Sequence, residues 1–208
     1  MAKIIAAASM MVAAATAHAE TVNFDADQPG MPPVGWTCGS TGVGTPVWTV
    51  EAEPSAPSGA NVLKQTGKAP FPWCVKQGTA VENGNVEVKF KPLSGREDQA
   101  AGVVWRWKDG DNYYYYVARA NALENNVSLY YTERGRRQTI KYVDAPVPAN
   151  AWHTLSVEFA ATRIRVSLDG KTYIELTDGH ISGAGAVGVW TKADSVTAFD
   201  DFTFQARP

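Results

Sequence analysis

The chain has 208 residues, 45% apolar, 19% charged and 11% aromatic, with 18 glycines and 12 prolines. That length builds one well-cored domain, and so many aromatics among so few charges exclude a disordered or fibrous chain. Nineteen Lys+Arg against 21 Asp+Glu leave a net charge of −2, which gives no electrostatic basis for binding nucleic acid.

The N-terminus reads as an export signal. Lys3 supplies a positive start, Ile4 to Ala17 form an apolar run, and Ala17-His18-Ala19 offers a small-x-small cleavage site. The run is too short to span a bilayer and passes directly into polar sequence. The expectation is a cleaved signal over 1–19, one domain over 20–208, no membrane span, and a periplasmic or extracellular location. Such a compartment is oxidising. Cys38 and Cys74 lie 36 residues apart with no CxxC and no histidine at metal spacing. One disulfide is the expected state, with two buried free thiols as the alternative.

Residues 29–59 are rich in proline and glycine and read as loops, with brief strands at Val47–Val50 and Val62–Lys64. Beyond them, short alternating runs follow one another. Val86, Val88 and Phe90 alternate with Glu87 and Lys89 in a strand with one wet face. Gly102–Trp107 and Tyr113–Ala118 flank the turn Asp109–Asn112 as a hairpin. Further strands are expected at Val127–Thr132, Thr139–Val143, Leu155–Phe159, Ile164–Leu168, Thr172–Leu176, Ala186–Thr191 and Thr197–Phe204. Helical periodicity is confined to the signal and a short stretch at Ala120–Glu124. So many short strands predict an all-β, two-sheet antiparallel sandwich in a single domain.

Several segments share an order with a known superfamily. Gly102-Val103-Val104-Trp105-Arg106-Trp107 followed by Asp109-Gly110-Asp111-Asn112-Tyr113-Tyr114 resembles its strand-turn-strand signature. Trp152-His153-Thr154-Leu155, the Asp169-Gly170 hairpin, Gly185 to Thr191 and Phe199-Asp200-Asp201-Phe202 follow in its sequence. The chain resembles the concanavalin A-like (laminin G/glucanase-type) jelly rolls, and within them the secreted bacterial 3-keto-disaccharide hydrolases related to family sixteen glycoside hydrolases. The resemblance implies a jelly roll whose concave sheet holds a saccharide. It does not carry over catalysis, because the family sixteen Glu-x-Asp-x-(x)-Glu run is absent from this sequence.

Strand alternation puts Val103, Trp105 and Trp107 on one face of their strand, with Val104 and Arg106 on the other. Tyr115, Val117 and Arg119 share a face of the next strand. Aromatic rings stack on the C–H faces of sugars, and arginine forks bond their oxygens. The candidate ligand-binding residues are therefore Trp105, Arg106, Tyr115, Arg119, Tyr130 and Trp190; an Arg106 that faces the groove is expected to be partly exposed with spare donors, and a structural one to spend them on an internal acid such as Glu87 and on backbone carbonyls. Core packing is the competing account of each ring. Asp98, Asp109, Asp111, Glu124, Glu133 and Asp194 read as solvated loop carboxylates with no pair at glycosidase spacing. His153 and His180 read as structural. Because terminal strands lie side by side in such jelly rolls, and some relatives hold calcium there, Asp25 and Asp201 are candidate ligands of a structural calcium. Three functions compete: saccharide binding without turnover, glycoside cleavage by a hydrolase or lyase, and a non-enzymatic envelope interaction module. A carbohydrate is the expected partner and a monomer the expected state.

Overall fold

The computed structural model describes residues 18–109 and 114–208; residues 1–17 of the signal expected over 1–19, and residues 110–113 in the expected hairpin turn and the start of its second strand, lie outside them. The described residues form strands β1 (Glu20–Val22), β2 (Trp36–Thr41), β3 (Trp48–Ala52), β4 (Asn61–Gln65), β5 (Phe71–Lys76), β6 (Asn83–Ser94), β7 (Ala100–Trp107), β8 (Tyr115–Asn121), β9 (Asn126–Glu133), β10 (Arg136–Asp144), β11 (His153–Ala160), β12 (Arg163–Leu168), β13 (Lys171–Thr177), β14 (Ala186–Trp190) and β15 (Val196–Arg207). Among the described residues no helix is long and apolar enough to cross a membrane.

Two antiparallel sheets face each other. One runs β13-β12-β11-β6-β15-β4-β3, with β1 added against β15; the other runs β10-β9-β8-β7-β14-β5-β2. The N-terminal strand lies along the C-terminal one, Glu20 opposite Phe204. Each strand expected from alternation is present. β1, β2 and β5 are additions, and β5 escapes a period-2 reading because it is buried on both faces and contains Pro72. The helical stretch at Ala120–Glu124 is replaced by the end of β8 and a turn, in which the Asn121 side chain accepts the amide of Leu123. Cys38 and Cys74 are directly opposed on β2 and β5 and form the disulfide.

The core fills the space between the sheets. Trp105 is wholly buried there, stacked on Tyr116 and Phe159 at 5.1 and 5.7 Å between ring centroids. Trp36 sits between Phe24 and Phe202, and Trp48 packs on Phe199. The outer face of the eight-stranded sheet is instead laced with ion pairs such as Lys64–Glu51 and Lys89–Asp201.

Strict alternation fails at one place in β7. Ala186 and Gly188 of β14, two residues apart, pair with Trp107 and Val104, three apart, so β7 carries an extra residue. Arg106 takes it up with φ at 51°. Arg106 therefore follows Trp105 inward, and Trp107 turns out. Gly185 is required beside this bulge, since a Cβ there would lie 2.5 Å from the Arg106 carbonyl carbon. The inward guanidinium donates Nη1 to the Ile181 carbonyl at 2.7 Å, Nη2 to Ala161 at 2.7 Å and to Glu82 at 3.0 Å, and Nε to Glu82. It also lies over the Phe159 ring. Burial pulls its pKa down, and among the described residues no acid is hydrogen-bonded to it. Arg106 is thus a scaffold residue, contrary to the expectation of an exposed sugar-binding donor, and Trp105 is a core residue for the same reason of direction.

The seven-stranded sheet is strongly curled. Neighbouring strands lie about 4.8 Å apart, so β8 and β2, with β7, β14 and β5 between them, would stand about 19 Å apart in a flat sheet. Yet the Tyr115 hydroxyl meets the Thr41 hydroxyl at 2.7 Å, and the Arg137 guanidinium of β10 lies 4.8 Å from the Phe71 ring of β5. The outer face of this sheet is concave.

Two stability tests follow from this architecture. Arg106→Ala removes a buried guanidinium and its bonds to three carbonyls, that of Ile181 buried, and is expected to cost about 3–5 kcal/mol, lowering Tm by about 10 °C in thermal melts; an unchanged melt would remove Arg106 from the scaffold. The disulfide closes a loop of 36 residues in separation. Its Cys38→Ala/Cys74→Ala removal is expected to cost about 3–4 kcal/mol in denaturant titration.

Candidate functional site

The concave face is built by alternation on either side of the bulge. β8 contributes Tyr115, Val117 and Arg119; β9 contributes Ser128, Tyr130 and Thr132; β14 contributes Trp190 and β5 contributes Phe71, Trp73 and Val75. After the bulge, β7 adds Trp107, 5.1 Å from Trp73. Phe71 stacks on Trp190 with centroids 6.0 Å apart. Over this layer lies Arg137, its guanidinium carbon 4.2 Å from the Tyr130 ring centroid and 6.0 Å from that of Trp190. Burial raises the Tyr115 phenol, which its hydrogen bond with Thr41 partly offsets.

One end of the face is polar. Arg119 reaches Asp98 at 3.6 Å through Nη1, and donates Nη2 to Glu124 and to Asn126, each at 2.8 Å. Lys192 also pairs with Asp98. The Asp194 carboxylate accepts the amides of Arg96, Glu97 and Asp98 and fixes the loop that delivers Asp98. Burial works to raise the Glu124 carboxyl, but Asn126 and Arg119 hold it below the ordinary range. A glycosidase needs one carboxyl kept protonated as a general acid. Glu124 is moved the opposite way, and Asp98 is clamped between two cations.

Of the six expected ligand residues, Tyr115, Arg119, Tyr130 and Trp190 lie together on the concave face; Trp105 and Arg106 do not. Those four are almost completely buried, beneath Arg137 and the curled rim. The partly exposed rings are Phe71 and Trp107, which strict alternation had misplaced or passed over. Asp98 also departs from its expected place, since it is fully buried. Arg137 and Lys192 gave no sequence signal beyond being cations near strand ends.

Several buried polar atoms on this face have no partner: Nε1 of Trp73 and Trp107, Nε of Arg119, Nη1 of Arg137, Nδ2 of Asn121 and Oδ1 of Asp98. Buried polar groups are normally satisfied, so a concentration of exceptions marks a place where bonds are left for something else. Beside Trp107 the face opens into a groove of about 360 Å³ lined also by Thr37, Val75, Lys76, Lys108 and Ala186. A second hollow of similar size, against the other sheet, is lined by Glu158, Arg163, Arg165 and Glu175, whose charges are paired with one another.

Elsewhere, His153 is held by Asp169 and the Pro148 carbonyl, and His180 by Asp178 with its ring 4.0 Å from that of Tyr131. Asp25 and Asp201 do not converge on a ligand cluster. Asp25 accepts the amides of Ala60 and Asn61, and Asp201 pairs with Lys89. Among the described residues no three His, Cys, Asp or Glu side chains come together as metal ligands.

Comparison with known proteins agrees with this architecture. The chain is similar in structure to a carbohydrate binding module, CBM66, from Bacillus subtilis, with TM-score 0.67 and 18% identity over 85% of this chain and 98% of that one. It is similar to the beta-glucanase of Bacillus licheniformis, with TM-score 0.62 and 15% identity over 92% and 98%. It is also similar to the cellulose induced protein Cip1, with TM-score 0.63 and 13% identity over 90% and 97%. At these identities the likeness is one of fold. No curated protein sequence matches the chain. The sequence profile of the beta xylosidase C-terminal concanavalin A-like domain matches residues 75–195, more than half of the length. With its sandwich and that match, the chain belongs to the family of beta xylosidase C-terminal concanavalin A-like domains.

Proposed function

We propose that the chain is an exported carbohydrate-binding protein that holds a saccharide on its concave face and does not cleave it. The observation that carries the reading is the group of unpartnered polar atoms set among rings on that face. Sugars supply what such a surface lacks: hydroxyls that donate to Asp98 and accept from Trp107, Trp73 and Asn121, and apolar faces for the partly exposed rings. The fold shared with a carbohydrate binding module supports the partner class. The Cys38–Cys74 disulfide supports an oxidising compartment. Against the hydrolytic alternative stands the direction in which Glu124 is shifted.

Trp107 is the residue to test, because it is the ring at the open groove. Trp107→Ala is expected to lower saccharide affinity at least tenfold in affinity electrophoresis over a neutral and acidic polysaccharide panel, with Tm lowered by less than about 5 °C. Trp190→Ala, at a wholly buried ring, is expected to cost about 3–5 kcal/mol of stability. Undiminished binding by Trp107→Ala across the panel would overturn the site.

A structural calcium at Asp25 and Asp201 is part of the proposal. Melts in calcium are expected to exceed melts in EGTA by several degrees. Identical melts would leave these aspartates as loop tethers alone.

A further inference from the structure

The charges of the concave face do not balance. Arg119 and Lys192 are matched by Asp98 and Glu124. Arg137 has no carboxylate partner among the described residues, and its Nη1 is buried with no acceptor. The rings of Tyr130, Phe71 and Trp190 attract its guanidinium but accept none of its forked hydrogen bonds. Burial disfavours its charge, the positive Arg119 adds to this, and Asp98 with Tyr130 offsets it in part. A part-buried guanidinium whose buried Nη1 has no acceptor is short of an anionic partner.

A second observation has the same sign. The groove beside Trp107, on the same face, is lined by Lys76 and Lys108 and, among the described residues, by no carboxylate. Lys76 is tied to Glu20 outside the lining, and Lys108 donates to the Ala184 carbonyl. Among the described residues the acidic group buried in the face, Asp98, is already clamped by two cations. A neutral glycan would satisfy hydroxyl-type partners but leave the Arg137 charge without a counter-charge.

From this geometry we infer that the saccharide is acidic, a uronate-bearing glycan whose sugar carboxylate is received by the Arg137 fork; this rests on the saccharide site proposed above. The partly exposed position of Arg137 on the edge strand β10 leaves it within reach of such a ligand.

The test compares matched ligands that differ only in charge. Calorimetric titration of the native protein with oligogalacturonate and oligomannuronate, and with the methyl esters of the same oligomers, is expected to give at least tenfold tighter binding of the free acids. That preference should weaken as salt is raised. Arg137→Gln is expected to abolish the preference, and Arg137→Lys, which keeps the charge but not the fork, to retain part of it; the lysine variant is the one read if the glutamine variant melts early. Equal affinity for acid and ester, or a preference that survives Arg137→Gln, would overturn the inference. If neutral oligosaccharides bind as well as acids and lose affinity in Trp107→Ala, the saccharide site stands and its acidic specificity falls. If the native protein binds none of these sugars, the saccharide reading itself falls. Tighter binding of a sulfated galactan than of either uronate would overturn the assignment to a carboxylate.

Discussion

The buried guanidinium of Arg106 joins the two sheets. It is anchored in the seven-stranded sheet through β7 and spends its donors on carbonyls of Glu82, Ala161 and Ile181, which lie before β6, between β11 and β12, and after β13. Those positions fringe the eight-stranded sheet. A charge in such a place is tolerable only because each donor finds a carbonyl with good geometry. The bulge that sends Arg106 inward also sends Trp107 outward, so one backbone irregularity sets both a tie between the layers and a ring at the groove.

The concave face is held by a different balance. Its rings are stacked so closely that the middle of the curl is filled by its own side chains, and Arg137 closes over them. Ordinary cores satisfy their polar atoms as they fill. Here the rings are packed while indole, guanidinium and carboxylate atoms among them are left unpartnered. At the polar end of the face Asp98 pairs with both Arg119 and Lys192, and Glu124 pairs with Arg119.

Most of the sandwich is legible in the residues. Val86, Val88 and Phe90, or Ile164, Val166 and Leu168, alternate because one face of each strand is dry and the other wet, and every such strand is present. β5 is not legible, since both its faces are covered and the sequence Phe71-Pro72-Trp73-Cys74 shows no period. The site is legible only in part. Tyr115, Arg119, Tyr130 and Trp190 share a face as local parity requires. Asp98 looks like a loop residue because its burial comes from Asp194 and Lys192, almost a hundred residues away. No local pattern encodes that. Arg106 misleads for another reason: a non-glycine residue at positive φ has no composition signature, and period-2 counting runs straight through it.

Strand β7 consequently carries two phases. Up to Trp105, odd-numbered residues point between the sheets; at Trp107 an odd-numbered residue points away from them. Any frame of comparison that aligns relatives by the even–odd rhythm of Ala100 to Trp105 would place the groove tryptophan in the hydrophobic interior. Removing Arg106 from the molecule would instead leave the indole on the outer face and restore an uninterrupted ladder to β14, at the expense of the tie between the layers.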